Sequence, residues 1–137
     1  MRWILTWLGV GGAFGVLDGI WLTQMFERLY QPALGDLLAP GLRLDAAVAF
    51  YLMYVTGLVL LAVRPAVLAG GGPKAAALRG ASLGAFAYAT YDLTNRATLA
   101  VWPVHVSLID IAWGTFASAT AAAAGALAWS RSARQSA

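Results

Sequence analysis

Four long apolar stretches constrain this chain more than any other feature of its sequence. They cover about residues 3–25, 46–63, 75–99 and 104–129. A helix needs about 20 mainly apolar residues to cross roughly 30 Å of hydrocarbon. The pattern therefore predicts an all-α integral membrane protein, built as a bundle of four transmembrane helices.

The composition leaves no room for a soluble domain. Of the 137 residues, 61% are hydrophobic and 11% are charged, which is too apolar for an ordinary soluble domain. We predict one membrane domain over residues 1–130 and a short basic cytoplasmic tail at 131–137. The chain has no cysteine, which excludes disulfides, thiolate catalysis and Cys-bound metals.

The segment between the first two stretches is amphipathic. Apolar residues recur near helical spacing between Phe26 and Leu38, while Pro32 and the Pro40-Gly41 pair interrupt any long helix. We predict an interfacial amphipathic connector between helices 1 and 2. A lid over a cavity is the alternative.

The basic residues are distributed unevenly between the two sides of a four-helix threading. One side collects Arg2, Arg64, Lys74, Arg79, Arg131 and Arg134. The other side holds Arg28, Arg43 and Arg96, mixed with acidic residues. The positive-inside rule then places both termini in the cytoplasm. We expect a multi-pass protein of the bacterial inner (cytoplasmic) membrane.

Three aspartates, Asp18, Asp92 and Asp110, lie inside the predicted helices. At 1.5 Å per residue each is about 20–31 Å from the basic end of its helix, in the outer half of the bilayer. Each also shares a helix face with small or polar residues. Ionisable groups at such depth face protein or water and indicate a functional site. We predict a polar, acidic chamber open to the extracytoplasmic side or just beneath it.

The candidate ligand-binding residues are these acids and the groups at helical spacing from them. They are Asp18, Trp21, Tyr88, Tyr91, Asp92, Asn95, Asp110 and Trp113. Asp92 belongs to the densest polar face, so we expect it at the centre of the site. The Asp-x-x-Trp spacing occurs in helices 1 and 4, which suits an inverted repeat but is too short to establish one.

Glycines at intervals of four predict close helix packing. Gly11, Gly15 and Gly19 follow this spacing in helix 1, and Gly80 and Gly84 follow it in helix 3. We expect Gly15 and Gly84 to be positions where a neighbouring helix comes close.

Several polar strings carry a family resemblance. They are Tyr88-Ala-Thr-Tyr91-Asp92-Leu-Thr94-Asn95, Asp18-x-x-Trp21-Leu, Trp102-Pro103 and Asp110-x-x-Trp113-Gly114-Thr115. From about Leu5 to Trp129 the chain resembles the bacterial domain-of-unknown-function 2177 family of predicted inner-membrane proteins. The resemblance implies a single four-helix membrane unit built on these polar positions, and it carries no known activity.

Three classes of function fit these residues. The first is a chamber that binds a cation, a proton or a lipid-like or organic ligand, with or without transport, because aromatic rings beside carboxylates suit organic cations. The second is a membrane-embedded lipid-modifying enzyme in which paired carboxylates divide acid and base roles. The third is a structural or accessory subunit whose acids hold the bundle in register. The residues favour a role without catalysis and identify no catalytic residue.

The expected partners are membrane lipids and a small cationic or lipid-like ligand. The net charge of +3 suits a topology signal better than a nucleic-acid surface, so we expect no nucleic acid. We expect no cofactor and no metal site, since zinc- and iron-type clusters bring more histidine. The sequence is compatible with a homo-oligomer or a larger membrane complex.

The topology is directly testable. Alkaline phosphatase fused after Gln135 is expected to be inactive in cells, and a fluorescent protein at the same position is expected to fluoresce. Insertion of the phosphatase in the loop 31–43 is expected to give the opposite result. A phosphatase that is active after Gln135 would reverse the predicted orientation.

Overall fold

A computed structural model of the chain describes residues 1–134. All regular structure within this range is helical, with no strand. There are four long helical segments: α1 (Arg2–Leu37), α2 (Leu44–Leu68), α3 (Gly72–Thr98) and α4 (Val104–Arg134). Two of them contain a π-helical stretch, at Phe26–Tyr30 in α1 and at Leu58–Val63 in α2. The prediction of an all-α fold is confirmed.

Three of these segments, α1, α2 and α4, are long and apolar enough to cross a membrane. α3 covers residues 75–98 of the predicted span 75–99 but is not among the three. It is rich in small residues and carries charges at both ends and at Asp92. Four spans and cytoplasmic termini therefore stay predictions. α4 continues as a helix to Arg134, into the predicted tail, and residues 135–137 of that tail lie outside the described range.

α4 runs antiparallel to α1. At one end the rings of Trp3 and Trp129 lie 4.3 Å apart between centroids, and towards the other end those of Trp21 and Trp113 also lie 4.3 Å apart. The buried face of α1 repeats at every fourth residue, as Thr6, Val10, Phe14 and Asp18. This stripe ends on an acid, so the contact between the two helices changes from apolar to polar along its length.

α3 and α4 approach so closely that no side chain fits between them. A methyl group at Gly80 would lie 2.5 Å from the backbone oxygen of Ser118, and one at Gly84 would overlap the carbonyl oxygen of Gly114. Gly114 in turn faces the ring of Tyr88, which occupies the space of the missing side chain. The packing role predicted for Gly84 is confirmed.

The packing role predicted for Gly15 is wrong. A methyl group there would meet no atom of the described residues within 4 Å, and the same holds for Gly12 and Gly19. The close contact of α1 depends on a glycine of the other helix, because a side chain at Gly125 would overlap Val10. Gly9 does face Ala128 of α4, whereas Gly12, Gly15 and Gly19 lie beside the packed face of α1. Periodicity alone does not identify the face that packs.

α2 completes the apolar core. Its buried residues are Val55, Leu58, Val59, Ala62, Val63 and Ala66. Near its beginning Phe50, Tyr51 and Tyr54 surround Phe14 of α1, with ring centroids 5.1–6.3 Å from that ring. This aromatic cluster holds the two tyrosines beside the polar part of the bundle.

A pair of identical substitutions tests the contact between α3 and α4. Gly84→Ala is expected to lower the free energy of unfolding by about 1–3 kcal/mol, because the added methyl group overpacks the contact. Gly15→Ala is expected to be neutral or to stabilise by up to about 1 kcal/mol, because alanine favours the helix and meets open space. Unfolding in detergent, followed by circular dichroism, measures both. Equal stability of the two variants would contradict the close approach.

Candidate functional site

One face of α4 presents polar groups at successive turns. Ser107, Asp110 and Ser118 lie on one side of the helix, and Trp113, three residues after Asp110, lies at the edge of that side. Ser107, Asp110 and Ser118 are buried. At the C-terminal end of this row, Ser118 shares a hydrogen bond of 2.8 Å with the hydroxyl of Tyr54 from α2.

Asp18 of α1 accepts hydrogen bonds from two other helices. The hydroxyl of Tyr51 donates to its Oδ2 at 2.5 Å, and the indole N–H of Trp113 donates to its Oδ1 over a longer 3.4 Å. Asp18 is buried, so these bonds lie inside the bundle. The carboxyl group therefore joins α1, α2 and α4.

Asp110 of α4 is bound from the continuation of α1. The hydroxyl of Tyr30 donates to its Oδ1 at 2.5 Å, and the Tyr30 oxygen accepts a hydrogen bond of 2.9 Å from the indole N–H of Trp21. Tyr30 lies in the π-helical stretch that follows the first straight part of α1. The segment predicted as an interfacial connector thus packs against the acidic face of α4.

The two Asp-x-x-Trp motifs meet in the folded chain. The rings of Trp21 and Trp113 stack with an angle of 7° between their planes. Each indole N–H points towards the acid of the other motif: Trp113 donates to Asp18 directly, and Trp21 reaches Asp110 through Tyr30. The motifs therefore exchange hydrogen bonds across one shared ring stack.

Asp92 of α3 has its own hydrogen-bond donor. It is 0% exposed, and the indole N–H of Trp102 lies 3.2 Å from its Oδ1 and 3.1 Å from the hydroxyl of Ser107. Its Oδ2 is also buried and has no hydrogen-bond partner among the described residues. Arg96, one turn further along α3, donates to the carbonyl oxygen of Trp102 at 3.2 Å and holds the loop in place.

The three acids lie at neighbouring levels along α4. Asp92 lies beside Ser107 and Asp18 beside Trp113, and these two levels are about 9 Å apart on the helix axis. Asp110 lies between them and interacts electrostatically with both. Asp110 is thus the middle one of the three acids along α4, and the central role of Asp92 in a binding site stays a prediction.

The comparisons with known proteins assign the chain to a family. A family model described as "Predicted membrane protein (DUF2177)" matches residues 3–127. The chain belongs to the DUF2177 family. No curated protein and no solved structure matches it. The resemblance predicted from the polar strings is confirmed, and the family and the candidate spans together make this a membrane protein.

The remaining candidate residues of this DUF2177 protein are not equally placed. Tyr88 is partly buried on Gly114, with its ring 6.3 Å from that of Tyr54. Tyr91 is 59% exposed and packs edge-on against Trp102, outside the buried acidic face. Asn95 is partly exposed near the end of α3. Helical spacing predicted that Tyr88, Tyr91 and Asn95 share one side of α3. Only part of that side faces α4.

Several residues that hydrogen-bond to the acids or take part in the polar contacts beside them were absent from the sequence-based candidates. They are Tyr30, Tyr51, Tyr54, Trp102, Ser107 and Ser118. Ser107 and Ser118 continue the polar row of α4, so their spacing carried a usable signal. Trp102 follows a pattern typical of interfacial aromatic belts, and Tyr30 depends on a π-helical stretch that periodicity does not reveal.

Two features limit what the site can bind. No three His, Cys, Asp or Glu side chains in residues 1–134 are close enough together to hold a metal ion. Two surface grooves, of about 320 and 520 Å³, are lined by no aspartate. The acids are thus enclosed by aromatic and hydroxyl side chains.

A phenol deletion tests the link between α1 and α4. Tyr30→Phe leaves the Trp21 N–H and Asp110 Oδ1 without this partner, and it is expected to lower the free energy of unfolding by about 1–3 kcal/mol. Tyr91→Phe makes the same change at an exposed position and is expected to stay within about 0.5 kcal/mol of the parent. Chemical unfolding in detergent compares the two. A Tyr30→Phe variant as stable as Tyr91→Phe would contradict the bridging role.

Proposed function

We propose that this DUF2177 protein is a multi-pass protein of the bacterial inner membrane that binds and releases protons at its buried aspartates. The observation that carries the proposal is Asp92, which is fully buried and has an Oδ2 atom without a partner among the described residues. A carboxylate in such a place costs far more free energy than a neutral carboxylic acid does. Asp92 Oδ2 is therefore the atom to which we assign a proton.

The donors around the acids support this assignment. Trp102 and Trp113 donate through indoles, and Tyr30 and Tyr51 donate through phenols, so every one of these four donors is uncharged. Neutral donors compensate a carboxylate less than a cation does. A proton removes the same charge without any rearrangement of the bundle.

The phenols suit a site that changes its protonation state. A hydroxyl can donate to a carboxylate or accept from a carboxylic acid, whereas an indole N–H only donates. Asp18 and Asp110 each face a phenol, so their tyrosine partners can serve both states. At Asp92 the indole of Trp102 occupies Oδ1 in either state, which leaves Oδ2 for the proton.

The packing favours a proton over the larger ligands that the sequence left open. Trp21 and Trp113 turn one ring face towards each other, which makes those faces unavailable for cation–π contact with an organic cation. The lining of both grooves lacks the aspartates, which disfavours a lipid-modifying reaction at these acids.

The proposal includes four membrane spans with cytoplasmic termini. α3 would be the fourth span, since its glycine face and Asp92 pack against α4 and leave mainly apolar side chains outside. Its few charges would then lie near the two membrane surfaces or against α4. The acids would lie in the outer half of the bilayer, so the path of a proton between them and the extracytoplasmic side would be short.

A second candidate is a purely structural role for the acids. The observation in its favour is that Asp18 alone joins three helices through two hydrogen bonds. Interhelical hydrogen bonds average only about 0.6 kcal/mol in a membrane protein, while an Asp at the helix centre costs about 2.5–3.5 kcal/mol on insertion scales. These magnitudes make stability alone a weak reason for three buried acids.

Infrared spectroscopy of the protein in lipid bilayers tests the proposal. We expect a carbonyl band of a protonated carboxyl group that changes with pH in the parent and is lost or reduced in Asp92→Asn. Asp45→Asn removes an exposed acid at the beginning of α2 and is the matched control, which should keep the band. Asp92→Asn retains the shape of the side chain, so its helical content should equal that of the parent.

Two results would contradict proton binding. One is the absence of any protonated carboxyl band that depends on Asp92. The other is a band that stays constant over the whole pH range in which the protein remains folded, which would leave the acids with the structural role.

A further inference from the structure

A groove between α2 and α3 lies far from the acids. It has a volume of about 520 Å³ and is lined by Leu61, Ala75, Leu78, Arg79 and Ser82. Its two leucines are 62% and 65% exposed, and Arg79 is exposed as well. Gly80, next to Arg79, packs on Ala122, which is about 18 Å along α4 from Asp110. The groove is thus apolar, open to the surroundings and marked by one cation.

The charge of Arg79 has no acidic counterpart in its part of the chain. The sequence contains no Asp or Glu in residues 1–17, in residues 46–91 or after Asp110. These are the segments that form this end of the bundle, as the contacts of Trp3 with Trp129 and of Gly80 with Ala122 show. Arg2 lies over the ring of Trp129, 5.5 Å from its centroid. Any acid that pairs with Arg79 would therefore come from outside these segments.

Two further cations stand at the edge of the groove. Lys74 precedes Ala75 in the first turn of α3, and Arg64 directly follows the π-helical stretch of α2 that contains Leu61. Both are exposed. An anion at Arg79 would have these charges within reach of long, flexible side chains.

We infer that this groove binds an anionic phospholipid, with the phosphate at Arg79 and an acyl chain along Leu61 and Leu78. The planar guanidinium group suits a phosphate because it can donate two parallel hydrogen bonds. Basic pockets between membrane helices bind anionic headgroups in this way.

Native mass spectrometry of the detergent-solubilised protein tests the inference with two lipids of equal chain length. Phosphatidylglycerol is expected to bind more tightly than the zwitterionic phosphatidylcholine. Arg79→Gln is expected to weaken phosphatidylglycerol binding about fivefold, since one arginine near an anionic surface contributes about that factor. Arg131→Gln removes an exposed cation at the same end of the bundle but outside the groove, and it should leave the affinity unchanged.

A second variant tests the acyl-chain part of the groove. Ser82→Leu fills the lining without changing any charge, and it should also weaken phosphatidylglycerol binding, whereas the water-soluble glycerol phosphate should bind poorly to every form. Ser82 and Arg79 are both exposed, so these variants should fold like the parent.

Three results would overturn the inference. They are equal binding of the two lipids, equal losses in Arg79→Gln and Arg131→Gln, or full binding by glycerol phosphate alone. Equal binding of the two lipids would indicate that the groove has no headgroup site. Equal losses in the two variants would indicate only a general attraction of anionic lipid to the basic residues at this end of the bundle. None of them bears on the aspartates, so proton binding can fail or stand independently.

Discussion

The contact between α3 and α4 determines where the polar groups of this protein lie. Because Gly80, Gly84 and Gly114 have no side chains, the two backbones approach directly and their relative register is fixed. That register places Asp92 beside Ser107 and the loop residue Trp102 above both. With larger residues at the glycines the helices would separate, and Asp92 would face lipid or water. The small-residue face is thus the main contact that holds the least apolar helix against α4.

The second constraint is that three acids are buried with neutral donors. Tyr51 and Trp113 at Asp18, Tyr30 at Asp110 and Trp102 at Asp92 are aromatic side chains that are apolar in body and polar at one atom. They can fill the interior of a membrane bundle and still satisfy an oxygen. A lysine or arginine would compensate a carboxylate fully and fix its charge. Aromatic donors do not fix the carboxyl group in its charged form, and this is the condition for reversible proton binding.

Much of the fold followed from the sequence because apolar length and glycine spacing are local signals. The all-α fold and the membrane location follow from apolar length, the family follows from the polar strings, and the burial of Asp18, Asp92 and Asp110 follows from the cost of an acid that faces lipid. The hydrogen-bond partners of the acids could not be predicted in this way. A helix face is wider than one helix–helix contact, and residue spacing does not tell which part of the face packs against the neighbouring helix. Tyr91 and Gly15 lie on predicted faces but outside the contacts. Tyr30 was missed because a π-helical stretch changes the periodicity on which the prediction rests.

The crossed hydrogen bonds of the two Asp-x-x-Trp motifs have a consequence for proton binding. Trp113 belongs to the motif of Asp110 but donates to Asp18, and Trp21 belongs to the motif of Asp18 but supports the donor of Asp110. A protonation change at either acid therefore alters a bond made by the other motif's tryptophan. The two rings are stacked, so neither can turn without moving its neighbour. Within the proposed function, the acids of α1 and α4 are thus linked through the stacked tryptophans, whereas Asp92 has a donor of its own, Trp102.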